Sequence, residues 1–302
     1  MSPTDPQDAG VPMSSRDRWA EWLLNRRCGG NKAELTRTMD YLTPIRDNVL
    51  AHAALKEGET LLDVGCGDGL IAFRALQQAP SGTVIFSDIS ADLLNHARAL
   101  AEQMDTLSRC QFIQASADDL SALPDDSVDV VTTRSVLIYV NDKGSAFREF
   151  HRVLRKSGRL SIFEPINRFR YPHPPHIFWG FDVTPVMDLA NKVKAVYEAI
   201  QPVDADPMLN FDERDLLELA ERAGFRALHV RLDVAVVQSD AVEWDVFVNV
   251  AGNPRIPTLD EAMNQALSRT EREAFVRQLR PSVETRQGTQ STAVAYLWAT
   301  KQ

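Results

Sequence analysis

Hydrophobic positions near the start of the chain follow a helical period. Trp19 and Trp22 recur at helical spacing and predict a first helix over 14–27. A second helix is predicted over 32–55. It is expected to bend or divide at Pro44, because proline removes a hydrogen bond from a helix interior.

From residue 58 onward, short apolar strands alternate with helical stretches. The predicted strands cover 60–64, 83–87, 111–115, 128–133 and 159–163. The predicted helices cover 68–78, 91–106 and 142–155. This alternation is typical of βαβ units, in which helices cover both faces of a parallel sheet. The fold class is therefore α/β.

Two later segments interrupt the alternation. Residues 165–209 are rich in proline and aromatic side chains, and 239–290 contain a helix that opens at Thr258 with Glu261 in a capping-box pattern. The other predicted elements are helices over 186–200 and 211–223 and strands over 226–237 and 293–299. Both segments are interpreted as cap insertions.

These patterns divide the chain of 302 residues into three parts. Residues 1–13 hold Ser, Pro, Asp and Gly without an apolar stretch, and we expect a disordered leader. Residues 14–57 are predicted to form an N-terminal helical cap. Residues 58–302 form the main domain, with cap insertions at 165–209 and 239–290.

Composition narrows the classes of function. A net charge of −9 disfavours a nucleic-acid partner, because an acidic surface repels phosphates. No apolar run approaches the roughly 18 residues of a membrane span, so no membrane partner is expected. Three widely spaced cysteines (Cys28, Cys66 and Cys110) predict no disulfide framework and indicate a reducing, cytoplasmic compartment. We expect no metal site.

The strongest local signal is Leu-Leu-Asp-Val-Gly-Cys-Gly-Asp-Gly at 61–69, where a buried strand ends in three alternate glycines. Glycines there allow a sharp turn and the close approach of a ligand. The dinucleotide fingerprint requires a glycine where this chain has Leu70, and Asp68 would repel a pyrophosphate. The loop favours a cofactor without phosphates, and a tight turn without a ligand is the alternative.

Acidic residues follow the next two strands. Asp88 lies about 20 residues past the glycine loop, where an acid can accept hydrogen bonds from ribose hydroxyls. A helix cap is the alternative for Asp88, although Ser90 fits that role equally well. Asp118 and Asp119 follow the third strand. Because ligands bind at the carboxyl ends of parallel strands, we expect these acids to converge on one crevice.

Taken together, four motifs resemble the class I S-adenosylmethionine-dependent methyltransferases. They are the glycine loop, Ser-Asp-Ile-Ser at 87–90, Ala-Ser-Ala-Asp-Asp-Leu at 115–120 and Asp-Ser-Val-Asp-Val-Val at 126–131. With the segment 150–160, they are most similar to the small-molecule group that includes the ubiquinone and menaquinone biosynthesis methyltransferases. The resemblance implies S-adenosyl-L-methionine as cofactor. It also implies a Rossmann-like seven-stranded sheet of order 3-2-1-4-5-7-6, with the last strand antiparallel.

The resemblance also implies a role for residues beside the methionine part of the cofactor. These residues are Asp63, Gly65, Cys66, Gly67, Asp68 and Gly69. Arg134 and Ser135 follow the fourth strand and would lie beside the methionine carboxylate or amino group. A structural ion pair is the alternative for Arg134.

On the adenosine side, the resemblance implies that Asp88 holds the ribose and that Ile89 lies against the adenine ring. Ala117 and Asp118 would read the adenine edge through a backbone N–H and a carboxylate. The family often has Asp or Asn where this chain has Ser116, which leaves open the side chain that accepts from the adenine amino group.

The predicted activity is methyl transfer by in-line displacement to an oxygen, nitrogen or carbon atom of a small, partly apolar molecule. The caps and the N-terminal helices are expected above the carboxyl edge of the sheet, where their aromatic and histidine side chains suit an apolar acceptor. Those side chains are Trp19, Trp22, Tyr171, His173, His176, Phe178, Trp179, Phe181, Trp244 and Phe247. Ordinary packing of the cap is the alternative.

An acceptor hydroxyl or acidic carbon needs a base within hydrogen-bond reach. Glu164, at the end of the fifth strand, is the first candidate. His173 and His176 are the next, and Tyr139 is a candidate to orient the acceptor. Solvated side chains without a catalytic role are the alternative for each.

Two other functions remain as alternatives: a non-catalytic S-adenosylmethionine-binding protein and an NAD-type Rossmann oxidoreductase. Arsenite methylation is disfavoured because Cys66 and Cys110 lie at opposite ends of their strands. The first helix can pack on its own domain or on a second copy, so both a monomer and a homodimer are open.

Overall fold

Seven strands form one sheet in the computed structural model, which describes residues 16–302; the predicted leader at 1–13 lies outside the described residues. The strands are β1 (Thr60–Val64), β2 (Thr83–Asp88), β3 (Cys110–Gln114), β4 (Val128–Arg134), β5 (Leu154–Pro165), β6 (Phe225–Gln238) and β7 (Thr289–Lys301). Their order is 3-2-1-4-5-7-6; β1 to β5 are parallel, and β7 runs antiparallel to β5 and β6. The expected sheet order is confirmed.

Ten α-helices accompany the sheet in the described part of the chain. They are α1 (Arg18–Glu21), α2 (Lys32–Ala53), α3 (Leu70–Gln78), α4 (Ala91–Gln103), α5 (Lys143–Val153), α6 (Met187–Ile200), α7 (Glu213–Arg222), α8 (Trp244–Asn249), α9 (Leu259–Ala266) and α10 (Arg269–Glu284). A π-helical stretch (Trp22–Arg26) follows α1, and a 3₁₀ turn (Leu137–Tyr139) follows β4. The sequence patterns did not indicate α8 and α10.

Alternating strand residues pack into two different hydrophobic cores, one on each face of the sheet. Leu62 packs with α5 and α7 on one face of the sheet, whereas its neighbour Leu61 packs with α2 and α3 on the other. Both side chains are fully buried, which explains why β1 appears in the sequence as a continuous apolar run.

Helix α2 corrects two expectations. It is not divided at Pro44, which lies on the exposed side of the helix where water can satisfy the carbonyl left without a donor. It also does not cap the carboxyl edge. Its Val49 carbonyl accepts a hydrogen bond from Ser161 Oγ at 2.8 Å, and its Ala53 carbonyl accepts one from Arg159 at 3.0 Å. These contacts place α2 along β5, as a cover for one face of the sheet.

The two insertions pack against each other and form a cap with its own core. Helix α6 from the first insertion contacts α9 and α10 from the second. A ribbon of two short strands, Ile177–Phe178 and Phe181–Asp182, also contributes. The buried core residues include Phe178, Phe181, Val193, Trp244, Leu259, Met263, Phe275 and Leu279.

The first helical segment, which consists of α1 and the π-helical stretch, lies between this cap and the main sheet. Trp22 Nε1 donates to the Ala251 carbonyl at 2.7 Å, and Arg26 forms an ion pair with Glu261. On the other side, Ser90 Oγ donates to Asp17 at 2.6 Å. The segment therefore crosses the carboxyl edge of the sheet. Across residues 16–302, the helices are too short or too polar to span a membrane.

Candidate functional site

A cavity of about 330 Å³ lies at the carboxyl edge of the sheet, beneath the first helical segment. We call it the edge cavity. Strand β1 lies between β2 and β4, so the chain leaves in opposite directions here, as at the ligand-binding switch point of doubly wound sheets. Ten residues singled out in the sequence line it: Gly65, Gly67, Asp88, Ile89, Ser116, Ala117, Asp118, Arg134, Ser135 and Tyr139.

The glycine loop depends on backbone conformations that other residues adopt at a cost. Gly65 has a φ of +65°, and a Cβ there would lie 2.3 Å from a methyl group of Val136. Gly67 has a φ of +56° and would meet Leu23 at 3.0 Å. The loop is therefore tightly packed against Val136 and Leu23, which also line the cavity, and neither Gly65 nor Gly67 has room for a Cβ.

Asp88 fixes the glycine loop and still has acceptor capacity. Its two carboxylate oxygens accept hydrogen bonds from Gly67 N and Ser90 N, each at 2.9 Å. Only 6% of Asp88 is exposed, and burial raises its pKa. Because an ionised carboxylate offers about four acceptor positions, two remain for a ligand in the cavity. The cap of α4 is Ser90, whose hydroxyl accepts from Leu93 N at 3.0 Å.

Residues after β2 and β3 form the next part of the wall. Ile89 is 44% exposed although it is a large apolar side chain, and it faces the edge cavity. The Ser116 hydroxyl hydrogen-bonds the Asp118 carboxylate. Since an ionised carboxylate only accepts, Ser116 is the donor, and Asp118 keeps the acceptor oxygens that face the cavity.

Arg134 and Ser135 form the wall after β4. Ser135 has a left-handed φ of +56°, which is strained for a side chain with a Cβ. Burial lowers the pKa of Arg134, while the negative charges of Asp68, Asp63 and Glu164 raise it. The Arg134 side chain donates no hydrogen bond to any residue in 16–302, so its N–H groups are available to an anion in the cavity.

The remaining residues predicted beside the methionine do not line the edge cavity. Asp63 is buried below the loop, where it accepts from Thr132 Oγ1 at 2.9 Å and where burial raises its pKa to about 7. Cys66 is buried and Gly69 precedes α3. Asp68 lies 3.9 Å from Arg27. Asp63 therefore lies behind the loop, and Cys66, Asp68 and Gly69 belong to the loop without lining the edge cavity.

Glu164 lies in a different environment from the one expected of a base. It is fully buried: one oxygen accepts from Val136 N and Leu137 N at 2.9 Å, and the other accepts from Ile138 N at 3.2 Å. Burial raises its pKa to about 7, whereas these three amide hydrogen bonds lower it. Glu164 does not line the edge cavity. It holds the turn that presents Tyr139.

The predicted histidines also lie elsewhere. His173 lines a second cavity of about 840 Å³ inside the cap, which we call the cap groove, and His176 lines neither cavity. The aromatic residues divide in the same way. Trp19 and Trp22 line the edge cavity, whereas Tyr171, Phe178 and Trp179 line the cap groove. The remaining three, Phe181, Trp244 and Phe247, pack within the cap.

Comparison with known proteins decides the family. A family model described as a methyltransferase domain matches residues 55–224. The ubiquinone/menaquinone biosynthesis C-methyltransferase of Paracoccus denitrificans is 31% identical over 199 residues, which are 63% of this chain and 71% of that protein. The chain belongs to the class I S-adenosylmethionine-dependent methyltransferases.

Other relatives match shorter segments. The Hahella chejuensis enzyme of the same name is 35% identical over 133 residues, so the match covers 43% of this methyltransferase and about half (51%) of that relative. An arsenite methyltransferase of Halobacterium salinarum is 32% identical over 128 residues, 41% of this chain and 32% of that protein.

Solved structures show the same fold at low sequence identity. The YcgJ protein of Bacillus subtilis superimposes with a TM-score of 0.52 at 16% identity, covering 85% of this methyltransferase and 97% of that chain. The geranyl diphosphate C-methyltransferase of Streptomyces coelicolor A3(2) gives 0.50 at 14% identity, covering 86% and 76%.

Sequence reasoning did not identify Arg255, which reaches the edge cavity from the second insertion. One guanidinium nitrogen donates to the Tyr139 carbonyl at 3.1 Å, and the group lies 5.6 Å from the Tyr139 ring centroid. Trp19 also contacts Tyr139, and the two rings meet edge-on with their centroids 5.0 Å apart. Arg255 belongs to an aperiodic turn between α8 and α9, so neither a motif nor a period indicated it.

Proposed function

We propose that this protein transfers the methyl group of S-adenosyl-L-methionine to an oxygen, nitrogen or carbon atom of a small, partly apolar molecule. The observation that carries the proposal is the set of complementary groups in the edge cavity. One carboxylate, Asp88, ends β2 and another, Asp118, follows β3, while β4 ends in the Arg134 guanidinium, which donates no hydrogen bond to a residue in 16–302. The cofactor has hydroxyl and amino donors at its adenosine end and a carboxylate at the other.

Each part of the cofactor would have a partner in the cavity. The free acceptor positions of Asp88 would receive the ribose hydroxyls, and Asp118 would receive the adenine amino group beside Ile89. Arg134 would bind the methionine carboxylate through charge-assisted hydrogen bonds. Gly65 and Gly67 would let the backbone approach the sulfonium centre without a side chain between them.

The chemistry requires mainly alignment and the exclusion of water, because a sulfonium is already a strong electrophile. Trp19, Val136 and Tyr139 supply apolar walls beside the expected reacting methyl group. Burial raises the pKa of Tyr139 further above its ordinary value, so its phenol stays protonated at neutral pH. Tyr139 would therefore orient an acceptor by donating a hydrogen bond. None of the other candidates, Glu164, His173 and His176, would contact the reacting atoms, because none of them lines the edge cavity.

A small acceptor in a reducing, cytoplasmic compartment fits the rest of the chain. The three cysteines are free thiols, which is typical of reducing compartments. Cys66 follows β1 at the carboxyl edge and Cys110 begins β3 at the opposite edge, so these two thiolates could not bind one arsenic atom. The acidic net charge of −9 supports a small molecule over a nucleic acid.

Calorimetric titration with S-adenosylmethionine, S-adenosylhomocysteine and NAD tests the proposal directly. We expect binding of the first two ligands and no binding of NAD, because Leu70 replaces the glycine that a pyrophosphate requires. Binding of NAD alone would overturn the proposal. Cofactor binding without turnover on any small-molecule acceptor would favour the non-catalytic alternative.

The role of Arg134 can be separated from a structural one with two ligands. 5′-Methylthioadenosine has the adenosine and thioether of the cofactor but lacks its amino-acid part. We expect Arg134→Gln to weaken the binding of S-adenosylhomocysteine by about 10–150-fold. This is the equivalent of about 1.5–3 kcal/mol for hydrogen bonds to a charged group. Binding of 5′-methylthioadenosine should stay unchanged in the same titration.

Arg37→Gln is the matched control, since Arg37 is an exposed α2 residue that pairs with Glu34 and does not line the edge cavity. It should bind both ligands as the wild type does. Equal losses for both ligands in Arg134→Gln would contradict the assignment and favour a purely structural role.

A further inference from the structure

The edge cavity carries more positive charge than its cofactor can satisfy. Three arginines line it, Arg18, Arg134 and Arg255, against two acids, Asp88 and Asp118. In the proposed function, both acids bind adenosine and Arg134 binds the methionine carboxylate. The cofactor also brings its own sulfonium and ammonium charges. Two arginines then face a cationic ligand without a counter-charge.

Arg255 lies on the side of the cavity away from adenosine. The adenosine residues follow β2 and β3, whereas Arg255 contacts the turn after β4, and β4 lies across β1 from those two strands. Val140 and Asn141, which follow Tyr139, line the same side. This is the part of the cavity where an acceptor would meet the methyl group.

The Arg255 guanidinium is held in place but not neutralised. Its backbone N–H donates to Asn253 Oδ1 at 2.9 Å, and one guanidinium nitrogen donates to the Tyr139 carbonyl at 3.1 Å. The other guanidinium N–H groups of Arg255 donate no hydrogen bond to a residue in 16–302. Arg255 makes no ion pair within residues 16–302. The nearby acid Asp206 accepts instead from Met208 N at 3.1 Å and Gln201 Nε2 at 3.2 Å.

A half-buried guanidinium beside apolar walls is costly unless an anion pairs with it. Trp19 and Val136 are such walls. A planar carboxylate fits the free edge of a guanidinium through two parallel hydrogen bonds, and Tyr139 would then stack below the pair. An acceptor with an anionic group would complete the charge balance of the loaded cavity.

We infer that the acceptor is a small organic anion, in the simplest case an aromatic carboxylate, and that Arg255 binds its charged group beside Tyr139. This inference rests on the proposed function and deepens it. Arg255 would act as a specificity residue, because it selects the charge of the acceptor and places the acceptor's apolar body toward the methyl group.

The test varies the charge of the probe and the charge of residue 255, and it compares binding for each combination of the two. Protein saturated with S-adenosylhomocysteine is titrated with 4-hydroxybenzoate, 4-hydroxyphenylacetate and 3-(4-hydroxyphenyl)propanoate, and with the neutral amide of each acid. We expect at least one acid to bind the wild type about 10-fold more tightly than its amide. Arg255→Gln should remove that preference and leave amide binding unchanged, and Arg255→Lys should keep part of it.

Arg269→Gln is the matched control, because Arg269 is an exposed arginine of the same insertion, paired with Glu273. It should keep the preference for acids. If Arg255→Gln lost acid binding and amide binding equally, Arg255 would only hold the cap in place. A preference that survives in Arg255→Gln, or a wild type that binds none of the acids, would also overturn the inference.

Cofactor titration separates this inference from the proposed function. If the wild type does not bind S-adenosylhomocysteine, the proposed function fails. If it binds S-adenosylhomocysteine but shows no preference for acids, only the inference about the acceptor fails. Arg255→Gln should bind S-adenosylhomocysteine normally, and a loss confined to that ligand would assign Arg255 to the cofactor carboxylate instead.

Discussion

The edge cavity and the cap groove differ in what fixes their walls. Most of the edge cavity is built from residues at the carboxyl ends of the parallel strands, and hydrogen bonds such as the one from Gly67 N to Asp88 hold them. The cap groove is lined mainly by aromatic side chains and prolines of the first insertion. Side-chain packing, an ion pair between Lys192 and Glu271 and a hydrogen bond from Thr289 N to the Gly180 carbonyl hold this insertion against the second one. The backbone of the sheet therefore positions the charged groups of the edge cavity, whereas packing between the insertions positions the walls of the cap groove.

One glycine in each region makes the contrast testable. Gly65 in the edge cavity and Gly180 in the cap groove both have a left-handed φ, +65° and +90°. A Cβ on Gly65 would lie 2.3 Å from a Val136 methyl group, and one on Gly180 would lie 2.1 Å from the Thr289 carbonyl oxygen. Neither position has room for a side chain, but only Gly65 lines the proposed cofactor site.

The largest expected effect comes from these two positions. Gly65→Ala and Gly180→Ala should each lower the free energy of unfolding by about 2–5 kcal/mol, because both the backbone and the packing are strained. Gly65→Ala should also abolish S-adenosylhomocysteine binding, whereas Gly180→Ala should leave it unchanged. Denaturant unfolding and calorimetry measure the two quantities.

Gly58→Ala is the control for backbone strain alone, since Gly58 has a φ of +76° and no atom within 4 Å of the added Cβ. Gly58→Ala should lower the free energy of unfolding by about 1–2 kcal/mol. If Gly180→Ala also removed cofactor binding, the cap and the edge cavity would be one cooperative unit, and the contrast between them would be wrong.

Asp88→Ala should produce the next largest change. We expect S-adenosylhomocysteine to bind about 10–150-fold more weakly, which corresponds to about 1.5–3 kcal/mol for hydrogen bonds to a charged acceptor. Part of this loss comes from the glycine loop, which Asp88 also fixes. Asp119→Ala is the control, because Asp119 is exposed and does not line the edge cavity. An Asp88→Ala protein that binds as the wild type does would refute the ribose assignment.

The last expected effect concerns Glu164 and is spread over a range of pH. Its pKa of about 7 in the fold lies above its ordinary value of 4.5, so the folded protein retains the proton that the unfolded chain loses. The free energy of unfolding should therefore fall as pH rises from 4.5 to 7 and level off above 7. Glu164→Gln should flatten this fall in denaturant unfolding at several pH values. Asp63, whose pKa is also raised to about 7, should preserve part of it.

Glu271 in the cap provides the opposite case. Its hydrogen bonds with Lys192 and Ser268 lower its pKa to about 2, so its contribution to stability is complete above pH 4.5 and is lost only below that value. Glu271→Gln should therefore keep the wild-type slope between pH 4.5 and 7. A Glu164→Gln protein with that same slope would show that the Glu164 carboxylate is ionised throughout the range.

The sequence determined the features that depend on neighbouring residues. A continuous apolar run specified β1, the alternation of strands and helices specified the parallel sheet, and the glycine loop and Asp88 followed at strand ends. Because parallel strands share one carboxyl edge, placing Asp88 and Asp118 in one cavity required only the order of the strands.

Tertiary structure alone decided which way each polar side chain turned. Glu164 ends a strand as Asp88 does, yet it points into the protein because three amides of the turn after β4 lie there to receive it. His173 and Arg255 both belong to insertions without a period. Packing of the cap put His173 in the cap groove and carried Arg255 to Tyr139. These contacts join residues that are distant along the chain, 28 positions apart for Glu164 and Val136 and 116 for Arg255 and Tyr139. Such contacts leave no local pattern in a single sequence, so only the fold could assign them.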